Sequence, residues 1–245
     1  MRLTVLGGCG AWPEAGQACS GFLVEHDGFR LLVDLGYATV PRLLQLLPAE
    51  QADAVFISHR HPDHCADLNP LLRARALCDA PALPVHALPG ALDAVLALDR
   101  PEMLAEAYAL HEFSAGASLH IGPFRAGTRL LPHSAPNAGV RLAAGHAALM
   151  YTGDSGPSPH IAELADGAGL LVAEASYIDR VPEDSRQYLS SARQAGREAA
   201  RAGAGRLLLT HLMPGTDHGA AQAAASAEYG GPVDVATSGL VLDLD

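Results

Sequence analysis

The sequence predicts one α/β domain spanning residues 1–245. Strand-like apolar runs alternate with helix-like segments along the whole chain, with no linker or low-complexity tract between them. Apolar residues make up 49% of the chain, enough at this length for a substantial core, yet no apolar run reaches the length that crosses a bilayer. Histidine and aspartate gather directly behind apolar runs, at the strand ends where α/β proteins place their chemistry.

Taken in order, Leu3–Leu6, Gly21–Glu25 and Arg30–Val33 read as strands, the last two joined as a hairpin through Gly28. Val40–Leu47 reads as a helix stopped by Pro48. Ala54–Ile57 is the next strand, followed by a helix over Leu68–Leu77 and a strand punctuated by Pro81 and Pro84. Pro89–Leu98 and Pro101–Tyr108 read as helices opened by proline. Leu110–Leu131 holds short strands separated by Gly116, Gly122 and Gly127. Val140–Ala144 and Ala147–Tyr151 form a second hairpin across Gly145-His146, and Pro159–Leu164 is a short helix. Leu170–Glu174 is a buried strand. Ser191 and Gln194 make a capping box for a helix that runs to Ala202 and ends at Gly203. A strand to Thr210, a helix over Ala220–Tyr229 and two short strands complete the chain.

Composition narrows the function classes. The N-terminal run is interrupted by Gly7 too soon for a signal peptide and reads as the first strand. Cys9, Cys19, Cys65 and Cys78 show no CxxC spacing and no disulfide framework, which points to a reducing cytoplasm; Cys65 reads as a small buried apolar residue. The net charge is −11 and every basic side chain is arginine. That balance disfavours a large nucleic acid or a membrane as partner and leaves a small-molecule substrate, anionic ones included. Arg73 and Arg75, a close basic pair, read as a solvated helix face. A homodimer is left open.

The most informative segment is Ile57-Ser58-His59-Arg60-His61-Pro62-Asp63-His64. His59 and His61 alternate on one face of an extended chain, and Asp63 and His64 follow after Pro62 turns it. That spacing suits two neighbouring metal ions. H-x-H-x-D-H behind an apolar strand resembles the signature of the metallo-β-lactamase superfamily, whose fold is a four-layer αββα sandwich with metals at one edge of two sheets. His133, Asp154 and His211, each behind an apolar run, stand in the order in which that family supplies its remaining ligands. The resemblance implies that His59, His61 and His133 hold one ion, that Asp63, His64 and His211 hold the other, and that Asp154 bridges them. Asp63 is thereby placed in catalysis as well. Imidazole and carboxylate suit Zn2+, with Mn2+ or iron also compatible. Two such ions lower the pKa of a shared water and present hydroxide to a phosphodiester, lactone, ester or thioester.

Within the superfamily the chain resembles ribonuclease Z and its short bacterial relatives, cyclic-nucleotide phosphodiesterases included. Gly153-Asp154-Ser155-Gly156, Ala173-Glu174-Ala175-Ser176 and Leu189-Ser190-Ser191-Ala192 carry that likeness. Asp34, behind Leu32-Val33, matches a residue that orients a metal-bound histidine; a plain strand-end turn is the alternative. Glu174 stands between an orienting role and a salt bridge. Asp154 follows His133 by only 21 positions, an interval in which tRNA-processing relatives carry a long arm. Tyr188 stands where the family has a histidine that protonates the leaving oxygen. A phenol with an ordinary pKa near ~10 is a poor proton donor for that step, so Tyr188 is either a weak substitute, a binding group or a packing residue. By analogy the loop with Trp12 borders the pocket and covers the substrate; an idle surface aromatic is the alternative. The remaining histidines read as turn, strand-end or helix residues, with His218 a candidate for the pocket border. The favoured function is a dinuclear hydrolase of a small phosphodiester such as a cyclic nucleotide. Hydrolysis or rearrangement of a lactone, ester or thioester is the alternative, and a non-catalytic protein that retains the site is a third.

Overall fold

In the computed structural model, which describes residues 1–244, the N-terminal half supplies β1 (Arg2–Gly7), β2 (Gly21–His26), β3 (Phe29–Leu35), β4 (Ala54–Phe56), β5 (Leu83–Ala87) and β6 (Tyr108–Glu112). Its helices are α1 (Thr39–Leu43), α2 (Pro62–Cys65), α3 (Leu68–Leu77), α4 (Asp93–Leu96) and α5 (Pro101–Leu104). The C-terminal half supplies β7 (Ser118–Ile121), β8 (Phe124–Leu131), β9 (Asn137–Ala144), β10 (Ala147–Tyr151), β11 (Leu170–Glu174), β12 (Leu207–Thr210), β13 (Val233–Val235) and β14 (Val241–Asp243), with α6 (Pro159–Ala165), α7 (Ala192–Ala202) and α8 (His218–Ser226).

These strands form two seven-stranded sheets, β14-β1-β2-β3-β4-β5-β6 and β13-β12-β11-β10-β9-β8-β7. In each sheet an antiparallel portion gives way to parallel strands, from β3 onward in the first and from β10 onward in the second. Period-two alternation sets the layers. Leu149, Tyr151, Leu170, Val172 and Leu208 point into the core shared by the two sheets, with Phe22, Val33 and Phe56 from the opposite side. Met150, Leu171, Ala173, Leu207 and Leu209 point outward onto Ile161, Leu164, Ala195, Ala199 and Ala225 of α6, α7 and α8. Strands covered on both faces are apolar until their last residue, as β11 and β12 are up to Glu174 and Thr210. Helices, two sheets and helices stack as the αββα sandwich that the resemblance implies.

The capping box is formed: Ser191 Oγ accepts from the Gln194 N–H, and Gln194 Oε1 accepts from the Ser191 N–H. Gly203 ends α7 at φ 59°. The first hairpin turns on Asp27 and Gly28, at φ 47° and 81°, the left-handed pair that a two-residue turn requires.

Several elements differ from the sequence reading. Helix α1 closes at Leu43, and Leu44–Leu47 continues as turns. The Pro89–Leu98 segment yields helix only over Asp93–Leu96. The segment opened by Pro101 leaves helix after Leu104, because Tyr108 begins β6 and pairs with Leu83 on the open edge of β5. Gly127 lies inside β8 rather than between strands; it pairs with Ser118 on one side and Arg141 on the other, so the ladder runs through it. The last helix is His218–Ser226, capped by Asp217, and Tyr229 beyond it donates its hydroxyl to the Ala204 carbonyl at 2.5 Å.

The pair Arg73 and Arg75 is not a solvated face. Arg73 bonds Asp99, but Arg75 is 3% exposed and points inward. Its guanidinium donates to the carbonyls of Ala49, Ala52 and Pro81 at 2.9, 3.1 and 2.7 Å, tying α3 to the turns on either side of it. The fixed fork of arginine suits three carbonyls at once, which no helical periodicity announces. Arg75→Ala removes three buried hydrogen bonds and unties α3 from the turns on either side, and a loss of about 2–4 kcal/mol is expected. Urea unfolding should show that loss as a lower midpoint, with metal binding by the folded protein unchanged.

Candidate metal centre

Strand direction decides where the chemistry collects. β1 and β3 run the same way, as do β3 and β4, so the loops after β1, β3 and β4 share one edge of the first sheet. β8, β10, β11 and β12 likewise end together in the second. The sandwich brings these two edges face to face. His59, His61, Asp63 and His64 follow β4; His133 follows β8; Asp154 follows β10; His211 follows β12. The seven side chains singled out in the sequence converge there in two groups. His59, His61, His133 and Asp154 form one, and Asp63, His64, Asp154 and His211 the other, each with donor atoms within 4.8 Å of one another. Asp154 belongs to both.

Within the first group, His61 Nδ1 lies 3.1 Å from His59 Nε2 and 3.0 Å from His133 Nε2. Nitrogens bound to one tetrahedral ion at 2.0–2.1 Å would stand about 3.3 Å apart. Asp154 Oδ2 lies 3.8 Å from both His59 Nε2 and His133 Nε2. In the second group, Asp154 Oδ1 is 3.1 Å from His64 Nε2, and Asp154 Oδ2 and Asp63 Oδ2 are each 3.2 Å from His211 Nε2.

Four of the five imidazoles have their outer nitrogen bound to an acceptor, which fixes the tautomer and frees the inner lone pair. His64 Nδ1 donates to Asp34 Oδ2 at 2.7 Å. The Ser58 hydroxyl donates to the same oxygen and accepts from His59 Nδ1 at 3.0 Å. Ser176 does the same on the other side, donating to Glu174 Oε1 and accepting from His211 Nδ1 at 2.9 Å. His133 Nδ1 donates to the Tyr188 carbonyl at 3.0 Å. Asp34 and Glu174 both accept hydrogen bonds from the groups behind the donor histidines. Asp34 is fully buried, sits at φ 56°, and also accepts from the Ser58 N–H and the Tyr151 hydroxyl. Glu174 meets no arginine; it accepts from the N–H groups of Ser155 and Ser190 as well as from Ser176. Ser58, Tyr151, Ser176 and Asn137, whose amide holds the carbonyls of Thr152 and Asp154, carried no sequence signal as site residues.

The donor set fits a cation. His64 Nε2 and Asp154 Oδ1 are buried with no hydrogen-bond partner, and both are acceptors once His64 Nδ1 carries the proton. A positive charge between them satisfies both. The electrostatics point the same way. Burial would lower the pKa of His64, but Asp154 and Asp34 outweigh it and hold the pKa well above the usual value. His211 is raised as well, against burial, first by Asp154 and then by Asp63. His59 and His61 are lowered, by burial first and by neighbouring imidazoles next, and so are offered as neutral ligands. Burial would raise Asp154, yet His211 and His64 hold it well below the carboxylate range. Glu174 is pushed up to about 7, by burial and then by the charge of Asp154. Cys65 is buried, and its thiol is pushed up to about 12 by burial and then by Asp34, which keeps it out of the donor set.

The match to the β-lactamase superfamily domain covers residues 27–212, from the first hairpin to just past His211. The chain belongs to the β-lactamase superfamily. A probable metallo-hydrolase of Bacillus subtilis, YhfI, is 33% identical over 98% of this chain and 99% of its own length. The crystal structure of YhfI superposes with a TM-score of 0.91 over 98% of both chains, at 31% identity. A protein named ribonuclease Z from Mycolicibacterium gilvum is 30% identical over 87% of this chain and 85% of its own. Short-form human tRNase Z, at 22% identity and a TM-score of 0.80 over all of both chains, shares the fold. Superfamily membership agrees with the H-x-H-x-D-H segment and with the strand ends at which the other donors lie.

Tyr188 reaches the centre through its main chain, while its side chain is exposed. Asp34 offers the sharpest test of how the donors are positioned. An amide at that position would set N–H donors against donors. Asp34→Asn should lower metal affinity roughly ten- to hundredfold with all seven donors retained. Competition against a chromophoric chelator measures this, and unchanged affinity would show that His64 and His59 are held by other contacts.

Proposed function

We propose that the protein is a dinuclear metal-dependent hydrolase of small phosphodiesters, a cyclic nucleotide being the model substrate. The observation that carries this is the pair of donor groups sharing Asp154, with four imidazole tautomers fixed from behind. His59, His61 and His133 would hold one divalent ion, and Asp63, His64 and His211 the other. Zn2+ suits the set best, and Mn2+ or iron is compatible. When bound, such a pair of ions supplies a nucleophile at neutral pH and positive charge against the developing oxyanion.

The chain's own residues do the rest. Asp34, Ser58, Ser176 and the Tyr188 carbonyl keep four imidazole donors in register. The Ala11 N–H donates to Asp63 Oδ2 at 2.9 Å, holding that carboxylate toward His211. The substrate class is supported by the likeness to proteins named ribonuclease Z, which points to phosphodiester chemistry. Structured RNA is disfavoured by the net charge of −11 and by the plain turn at Gly145-His146 between β9 and β10. A small-molecule substrate and no large nucleic-acid or membrane partner belong to the same reading, and the cysteine usage adds a cytoplasmic setting to it. Among the described residues no helix is long and apolar enough to cross a membrane.

Protein purified without chelator should carry close to two metal equivalents and cleave cyclic nucleotides. Asp154→Ala should lose most of the metal and the activity together, because it removes the residue shared by both groups. Retention of both metals in that variant would overturn the ligand assignment. Faster turnover of lactones or thioesters, or a precursor tRNA cleaved as fast as the small diesters, would overturn the substrate class.

The second expectation concerns Tyr188. Departure of a sugar alkoxide needs a proton, whereas a nitrophenolate leaves without one. Tyr188→His should therefore raise turnover of an alkoxide-leaving diester far more than that of a nitrophenyl diester, and Tyr188→Phe should leave nitrophenyl turnover nearly intact. Equal effects of Tyr188→His on both substrates would make Tyr188 a packing or binding residue.

A further inference from the structure

The chain has five Phe, six Tyr and one Trp, and among the described residues the exposed ones are Trp12, Tyr37 and Tyr188, at 53%, 38% and 38%. All three sit on segments that touch the metal donors. Trp12 follows Ala11, whose N–H bonds Asp63, and Gly10, which packs so closely on His211 that a Cβ there would collide with it. Tyr37 follows Gly36, where a Cβ would collide with the Asp63 carbonyl. Both rings thus branch from backbone that contacts Asp63, on the His211 side. Tyr188 lies on the opposite side, against His133.

Neither segment is slack. The Gly10 N–H donates to the Leu212 carbonyl at 2.9 Å, Arg42 reaches the Gly16 carbonyl at 2.6 Å, and Glu14 accepts from the Gly215 N–H. The Cys19 N–H donates to the Tyr37 carbonyl at 2.9 Å. Ala11 and Ala38, beside the two aromatics, hold φ of 61° and 68°, a conformation that costs an alanine about 1 kcal/mol. Backbone strain of this kind persists where the surroundings over-determine it, and it collects at functional sites. The result is two aromatic faces presented to water on a tethered rim beside a charged centre.

We propose that Trp12 and Tyr37 form a stacking wall for the nucleobase of the substrate, with its phosphodiester seated over the Asp63–Asp154–His211 group. The inference rests on the phosphodiesterase reading for the identity of the substrate. An open wall with an indole N–H and a phenol O–H suits a flat ring whose polar edges stay hydrated, and a base offers that ring whatever its sequence identity. An acyl or alkyl group would instead call for an enclosed apolar pocket.

The single Trp makes the wall its own probe. With the zinc-loaded full chain, AMP should quench tryptophan fluorescence and bind at least fivefold more tightly than ribose 5-phosphate, which lacks the base. Tyr37→Ala should weaken AMP in the same titration. Trp12→Ala should raise KM for cyclic AMP roughly tenfold with little change in kcat, and Trp12→Phe should restore most of it. Equal affinity for AMP and ribose 5-phosphate, or an unchanged KM in Trp12→Ala, overturns the wall while leaving cyclic AMP hydrolysis standing. AMP preference without any phosphodiester cleavage sinks the phosphodiesterase reading and keeps the wall. A dimer that Trp12→Ala converts to monomer, with AMP and ribose 5-phosphate bound equally, overturns the wall and makes the rim a subunit contact.

Discussion

The carboxylate of Asp34 ties this molecule together at its functional edge. It stands at the end of β3 with no exposure to solvent, in a left-handed conformation that aspartate tolerates better than most residues. One oxygen takes the Ser58 N–H, and the other gathers the Ser58 hydroxyl, His64 Nδ1 and the Tyr151 hydroxyl. Tyr151 belongs to the opposite sheet and is buried edge-on against Phe22, with ring centroids 5.2 Å apart. A single acceptor therefore aligns two donor histidines and pins the two sheets to each other. A buried carboxylate is costly unless its lone pairs are filled, and four donors fill these.

A second buried acid plays the matching part across the centre. Glu174, at the end of β11, fixes His211 through the Ser176 hydroxyl and anchors the main chain at Ser155 and Ser190. The Ser190 bond holds the segment whose Tyr188 carbonyl orients His133. Through hydroxyls and main chain, the two acids between them reach four of the five histidines. The arrangement also explains why an acidic protein would hold cations there: Asp34, Asp63 and Asp154 put negative charge in a region that water does not screen, and the imidazoles answer only part of it.

How much of this was legible follows from sequence distance. His59 to His64 lie within one turn of chain, and each remaining donor stands directly behind an apolar run, so strand direction alone brings the set together. Asp34 and Glu174 could be suspected from their places at strand ends, but their partners could not. Tyr151 meets Asp34 from 117 residues away and Ser176 meets His211 from 35, and a hydroxyl in a strand or turn has no pattern that reveals its partner. Arg75 misled for the opposite reason, since its helical position looked solvated while its guanidinium was committed to three carbonyls. Helix length was misjudged after Pro89 and Pro101, where proline starts a turn but the chain beyond it decides how far helix runs, as β6 does beyond Leu104.

Tyr37 shows the same limit at the rim. In sequence it is one more residue after a Gly at a strand end, and Trp12 is a lone aromatic in a glycine-rich loop. Only the fold puts the loop after β1 beside the loop after β3, because β1 and β3 run parallel with β2 between them. The same parallelism that gathers the donors therefore also decides which side chains stand around them. Donors drawn from both sheets leave the centre bordered by loops, and loops can vary without disturbing the ladders beneath them. On the proposed reading, buried acids, serines and strand ends would fix the hydrolytic chemistry, and the choice of substrate would fall to exposed residues such as Trp12, Tyr37 and Tyr188.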